Sequence, residues 1–134
     1  MDFTIKTGVK VYKLRDENKT VFAEFSLNPG DVGVARRYTE AVAEIKKYTI
    51  PNTEDSKNDV LEAERYLTGR FSYILGYDVE KDLFGRYSPL ATFPDGFFFQ
   101  LLLPLIGREI GAEVKERSKK IEKQIAKTMK ALDE

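Results

Sequence analysis

The fold is decided by FFFQLLLPLI, residues 97–106. This stretch is apolar on every side of a helix, yet it is only half as long as the ~20 residues that cross a bilayer. We therefore expect it to be the buried hub of a soluble domain. Pro104 has no amide to join the helical hydrogen-bond ladder, so a kink is expected at that residue.

The helix that contains this hub is predicted over residues 95–132. Beyond the hub it is mostly charged, with one narrow apolar stripe whose last five members are seven, four, four and three residues apart. This spacing is close to the heptad pattern of helices that pack on one another. The stripe is the candidate partner-binding surface, and it consists of Ile110, Val114, Ile121, Ile125, Met129 and Leu132. Packing on the protein's own body and docking of another copy or chain both fit it.

Two more helices are predicted before the hub. Asp31 is suited to cap the first, over residues 31–48, because its carboxylate can accept hydrogen bonds from free amides of the first turn. The second, over residues 55–75, is expected to end at Gly76 in the left-handed conformation. Its predicted buried side consists of Val60, Leu61, Ala63, Leu67, Phe71, Ile74 and Leu75. Residues 77–96 are predicted to form a connector with one short helical turn over residues 80–84.

Residues 1–28 alternate between apolar and polar, which predicts an antiparallel ribbon. The odd-numbered apolar residues, from Phe3 to Val11 and from Val21 to Leu27, are expected to form its inner face. Polar residues 16–19 are the expected turn. Gly8 fits either a bulge or a second turn, so the ribbon is a hairpin or a three-stranded meander. The whole chain, residues 1–134, is predicted to be a single α+β domain in which this ribbon packs on about three helices.

The composition excludes most catalytic chemistry. The 134 residues include no Cys, His or Trp, so disulfides, thiolate or imidazole metal sites and His-dependent triads cannot be built. Asp78, Glu80 and Asp82 are spaced like the first ligands of a calcium loop. Leu83 and Pro89, however, stand where that loop needs Gly and Glu. We therefore predict no enzyme activity, no catalytic residues, no metal and no cofactor.

The charges argue against two classes of partner. The 22 basic residues balance the 22 acidic ones, whereas binding to nucleic acid needs a basic excess. Arg36 and Arg37 precede Glu40 and Glu44 at helical spacing, so exposed pairs within the helix are expected rather than a basic strip. The chain shows no export signal and no spanning segment, so we expect no membrane partner and a cytoplasmic location.

Five short features follow one another along the chain, namely a strand ending in Phe25 and Leu27, the cap Asp31, RRYTEAV at residues 36–42, VEKDLFG at residues 79–85, and FPDG at residues 93–96 before the closing helix. Together they resemble the small tail assembly chaperones of siphophages and prophages of Gram-positive bacteria. The resemblance implies a non-enzymatic protein that binds the tape measure protein and the tail tube protein in the host cytoplasm. It also leaves room for a homo-oligomer. The alternative is a structural head-tail or tail completion protein that forms a homo-oligomeric ring.

Overall fold

The computed structural model describes residues 1–133, apart from the side chains of Val114 and Asp133. The element order is β1 (Lys10–Arg15), β2 (Val21–Leu27), α1 (Val32–Lys47), α2 (Ser56–Leu75), β3 (Thr92–Phe93), β4 (Gly96–Phe97) and α3 (Phe98–Asp133). Strands β1 and β2 form one antiparallel sheet, and β3 and β4 form another. The predicted α+β class, with a hairpin, three helices and a long bent C-terminal helix, is confirmed.

The turn between β1 and β2 is built around Asp16. Its Oδ1 accepts hydrogen bonds from the amides of Asn18 (2.9 Å) and Thr20 (3.0 Å). Lys19 adopts a φ of 64°, in the left-handed region, and its carbonyl accepts a hydrogen bond from Arg15 Nη1 at 2.9 Å. An Asp side chain that bonds to nearby amides stabilises a turn directly, which explains why the polar cluster at residues 16–19 reverses the chain.

The ribbon is shorter than predicted, because the described residues 1–9 form no strand. Gly8, at a φ of 83°, turns the chain, and the Thr7 carbonyl accepts a 2.7 Å hydrogen bond from Asn28 Nδ2. This bond holds residue 7 beside the end of β2 rather than along the free edge of β1. The sheet is therefore a hairpin and not a three-stranded meander.

The predicted inner face of β1 is also wrong. The register pairs Tyr12 with Phe25 and Leu14 with Ala23, and residues directly opposite one another lie on the same face of a sheet. The ring of Tyr12 stacks on that of Phe25 with centroids 5.1 Å apart. Even-numbered residues of β1 therefore face the core, and Val11 is 60% exposed on the outer face.

Helices α1 and α2 begin and end at the residues that the sequence predicts. Asp31 accepts a hydrogen bond from the Gly33 amide at 2.8 Å and caps α1. Asp55 caps α2 through the Asn58 amide at 3.2 Å. Gly76 ends α2 with a φ of 84°, which a residue with a side chain rarely adopts.

The buried face of α2 differs from the prediction at its first turn. Asp59 is buried there, and its carboxylate accepts hydrogen bonds from the Thr53 amide (2.7 Å) and hydroxyl (2.8 Å). The inward face then follows from Asp59 at intervals of three or four residues. Val60 and Leu61 lie beside this face, and they are 47% and 42% exposed. A buried carboxylate with both oxygens bonded is thus part of the loop that precedes α2.

Three charged residues of α1 contact α2 instead of pairing along their own helix. Glu44 forms an ion pair with Arg70, and Glu40 accepts a hydrogen bond from the Tyr73 hydroxyl. Arg37 Nε donates to the Tyr73 carbonyl at 2.9 Å, near the end of α2. These contacts replace the predicted pairs within the helix and tie the two helices together.

The core is centred on the first part of α3. Phe98, Leu102 and Ile106 are buried, while Phe97 and Leu105 are 38% and 41% exposed. The hub therefore has one buried face and is not enclosed on all sides. Around it lie side chains from β2, α2 and the connector, namely Phe25, Leu27, Phe71, Ile74, Val79, Leu83 and Phe84.

The start of α3 is set by the β3–β4 hairpin. Residues predicted to open the helix at 95–97 instead belong to this hairpin, and α3 begins at Phe98. The amides of Phe98 and Phe99 donate to the carbonyls of Ala91 (2.9 Å) and Pro89 (3.0 Å). The connector thus satisfies amides that a helix N-terminus would otherwise leave without partners. The connector also makes a hydrogen-bonded turn from Val79 to Leu83, close to the short turn that was predicted.

Tyr38 of α1 docks on α3 where Pro104 bends it. Its hydroxyl donates to the Leu103 carbonyl at 2.9 Å, and burial raises the pKa of this Tyr. The ring lies directly over Gly107, where an added Cβ would overlap the hydroxyl and the ring. Gly107 therefore permits the close approach of the two helices.

Replacing Gly107 with Ala is expected to lower the free energy of unfolding by about 1–3 kcal/mol, because the new methyl group overpacks the contact with Tyr38. Gly111→Ala is the matched control, since an added Cβ there meets no atom within 4 Å. The control should raise stability by about 0.5–1 kcal/mol through helix propensity alone. Urea unfolding followed by circular dichroism measures both, and stabilisation by both variants would contradict the Tyr38 contact.

Candidate protein-interaction surface

The C-terminal half of α3 extends away from the body of the protein. Every residue from 115 to 132 is exposed. At a rise of about 1.5 Å per residue, this segment is roughly 27 Å long. A helix this hydrophilic gains little stability from its own packing, so contact with another molecule would stabilise it.

The exposed segment carries large apolar side chains on one face. Ile121, Ile125, Met129 and Leu132 are 56%, 58%, 57% and 75% exposed, and we call these four residues the α3 seam. They are four, four and three residues apart, which places them on one side of a helix. The seam is therefore an apolar surface that the protein's own body leaves uncovered.

Of the six predicted partner-binding residues, Ile110 and Val114 need separate statements. Ile110 is 5% exposed and belongs to the core, because it follows Phe98, Leu102 and Ile106 at four-residue intervals on the inward face. The side chain of Val114 lies outside the described residues. The structure thus brings together the last four residues of the predicted stripe.

The opposite face of the same segment is basic. Lys119, Lys120, Lys123, Lys127 and Lys130 project on the side away from the seam, within an arc of about 100°. Between residues 118 and 132 the only acidic residue is Glu122, which lies at the border of the seam. Charge and apolar surface are therefore separated around the helix, as in helices that bind through one face.

The body holds α3 as far as Arg117. The Nε of Arg117 donates to Glu113 Oε1 at 3.2 Å. The guanidinium of Arg117 lies over Gly30, where an added Cβ would collide with it. One turn earlier, the Tyr12 hydroxyl donates to Glu109 at 3.5 Å. Burial, together with the Glu109 carboxylate, raises the pKa of Tyr12. The segment that stands clear of the body accordingly begins at residue 118.

A second exposed apolar set lies in the N-terminal segment. Phe3, Ile5, Val9 and Val11 are 84%, 80%, 53% and 60% exposed. The alternating pattern predicts that they lie on the inner face of the ribbon, and this prediction is wrong for Val11. The sequence contains a competing signal, because the even-numbered residues Tyr12 and Leu14 of β1 are also apolar and can occupy the same face.

Two of the surface clefts are lined in part by side chains that accept hydrogen bonds from loop amides, Ser72 in one and Asp16 in the other. One, of about 450 Å³, lies between α2 and the connector, and another, of about 440 Å³, lies beside Phe22 and Tyr87. Ser72, in the first, accepts a hydrogen bond from the Val79 amide at 3.2 Å and so braces the connector. In the same region Asp78 Oδ1 accepts from the Glu80 amide at 3.0 Å, which is a turn rather than a ligand arrangement.

Within the part of the chain that the structure describes, no three acidic side chains converge as a metal site would require. None of the helices in residues 1–133 combines the length and apolar character needed to cross a membrane.

The chain matches no protein-family model, and no curated protein or solved structure matches it.

Proposed function

We propose that this protein is non-enzymatic and binds another protein chain through the α3 seam. The observation that supports this function most directly is the exposure of four large apolar side chains on one face of a free helix. Covering the exposed part of each would contribute about 1–2 kcal/mol of hydrophobic free energy. A partner that covers the whole seam would therefore gain enough to bind specifically.

The shape and spacing of the seam favour a helical partner. Apolar residues at intervals of three and four form a narrow ridge, which fits between the side chains of a second helix. A flat or strand-like partner would cover such a ridge only at single points. The partner surface that fits the seam is thus an amphipathic or apolar helix.

The resemblance to phage tail assembly chaperones supplies the identity that we propose for this partner. We infer that the protein binds the tape measure protein, a long helical chain, and also the tail tube protein, in the cytoplasm of the bacterial host. Binding would cover apolar helix surface of the tape measure protein until the tail tube polymerises. The exposed lysines on the opposite face of α3 would help to keep such a complex in solution.

The test is co-expression of this protein with the tape measure protein of the same genome. A tape measure protein that is insoluble alone should become soluble and should co-purify with a tagged copy of this chain. A tape measure protein that stays insoluble and unbound would overturn the proposal. Static light scattering of the isolated protein adds a second check, since a closed ring formed without any client is the outcome expected of a tail completion protein instead.

A further inference from the structure

We infer that a second copy of this chain covers the α3 seam when the partner protein, here called the client, is not bound, and that the two α3 helices pair in parallel as a short coiled coil. This inference depends on the proposed function only where it names the client that displaces the second copy.

Residues 118–132 can be placed in a heptad register that has apolar residues at three of its five core positions and puts Met129 beside the core, at an e position. Ser118, Ile125 and Leu132 occupy the a positions, and Ile121 and Thr128 occupy the d positions. All five are exposed in the structure. Three aliphatic residues give a pair of helices its apolar contact, and two small polar residues in the same core weaken that contact. A reversible pair is therefore expected.

The residues beside the seam suit a parallel pair of identical helices. In a parallel coiled coil, each g position faces the e position of the next heptad on the other helix. Arg117 of one copy then faces Glu122 of the other, and this attraction occurs twice in the dimer. The side chain of Arg117 is 52% exposed, and its attraction to this carboxylate adds to its existing ion pair with Glu113 of its own helix. The next pair joins Gln124 with Met129, which carry no charge.

An antiparallel pair is disfavoured by the same residues. The alignment that places Ile121 of one helix against Ile125 of the other brings the two copies of Glu122 together. Like charges in this position destabilise a coiled coil and select against that orientation. Charge complementarity thus distinguishes the two orientations and favours the parallel one.

The lysines favour a second copy over an acidic partner. Lys119, Lys120, Lys123, Lys127 and Lys130 occupy the b, c and f positions, which point away from the contact in a two-helix pair. A surface that binds an acidic helix would carry its basic residues at the e and g positions, which face the partner helix. Here those positions hold one complementary pair and uncharged residues.

The seam is short enough for a client to displace the second copy. Residues 118–132 span about two heptads, fewer than the three to four that mark a stable coiled coil. A client helix that also contacts the body of the protein would bury more surface than this pair does. The client would then replace the second copy by mass action.

Single-cysteine variants test the pairing, because the chain contains no Cys of its own. A disulfide needs the two Cα atoms within about 7 Å of each other. Core positions of a parallel pair meet their own counterparts at such distances, whereas f positions lie on opposite outer sides. Mild oxidation of purified S118C, and separately of T128C, should therefore give covalent dimers on a non-reducing gel. The matched control K123C, at an f position, should stay monomeric.

Each other outcome has a defined meaning. If S118C and T128C dimerise no more than K123C, self-pairing through the seam is overturned. If neither dimerises alone but a mixture of the two gives the mixed disulfide, the parallel orientation is overturned. Failure of cross-linking combined with binding to phosphatidylserine vesicles that I121D/I125D abolishes would assign the face to a lipid surface.

The client is measured separately, so the two proposals fail independently. Adding a soluble fragment of the tape measure protein before oxidation should lower the yield of the S118C dimer. A dimer whose yield is unaffected, in a protein that also fails to bind the tape measure protein, would overturn the proposed function and leave the self-pairing intact. A monomeric protein that still solubilises the tape measure protein would do the reverse.

Discussion

Replacing both Ile121 and Ile125 with Asp is expected to abolish binding of the protein partner while the body of the protein stays folded. Both side chains are more than half exposed, so the free energy of unfolding should change by no more than about 0.5 kcal/mol. In a complex, however, each new carboxylate would be pressed against an apolar helix. Burying an unpaired charge costs several kcal/mol, so affinity should fall by about a thousandfold or more. Co-purification with the tape measure protein measures binding, and urea unfolding measures stability.

The matched control places two Asp residues, again four apart, on the opposite face of the same helix. K119D/K123D changes the net charge twice as much as I121D/I125D does, but it leaves the seam untouched. The control should retain partner binding to within a few fold. If K119D/K123D loses binding as completely as I121D/I125D does, the partner recognises the charge of α3 and not its apolar face. If I121D/I125D unfolds the protein, the seam is part of the core.

The sequence predicts the ends of elements well where one side chain makes the decisive bond. Asp31 and Asp55 each accept an amide of their own helix, and Gly76 adopts the left-handed conformation that ends α2. Asp16 closes the hairpin in the same local way. These interactions involve residues at most four apart, so the information that determines them is contained in a short segment.

The sequence predicts less well which face of an element is buried. In β1, both parities contain apolar residues, and only pairing with β2 places Tyr12 rather than Val11 on the inside. In α2, the bonds from Thr53 bury Asp59 and displace Val60 to the surface. Such outcomes depend on partners outside the element, which periodicity within one segment does not contain.

The candidate binding surface also combines a feature that is local in the sequence with one that depends on the rest of the fold. Heptad spacing identifies a stripe along α3, because spacing is a property of the helix alone. Whether each member of that stripe meets the body or solvent depends on where the helix leaves the body. The contact of Arg117 with Gly30 marks that point, and the side chains of Ile110 and Ile121 lie on opposite sides of it. A single pattern in the sequence therefore covers two different environments.

Truncating Ile110 and truncating Ile121 are expected to give contrasting results, although both residues are Ile and belong to one predicted stripe. Ile110 is 5% exposed and packs in the core, so Ile110→Ala should lower the free energy of unfolding by about 2–4 kcal/mol. Ile121 is 56% exposed, and Ile121→Ala should change stability by less than about 0.5 kcal/mol. Chemical unfolding at low protein concentration, where a second copy does not contribute, compares the two directly.

For partner binding, Ile121→Ala should have the larger effect and Ile110→Ala the smaller one. At temperatures where both variants are folded, Ile110→Ala should bind the tape measure protein as the natural chain does, because its side chain does not reach the surface. Ile121→Ala should bind more weakly, by about tenfold, since it removes a side chain that contributes about 1–2 kcal/mol of contact. Equal loss of stability in the two variants would place Ile121 in the core. Equal loss of binding would mean that the docking surface extends to the part of α3 that the body covers.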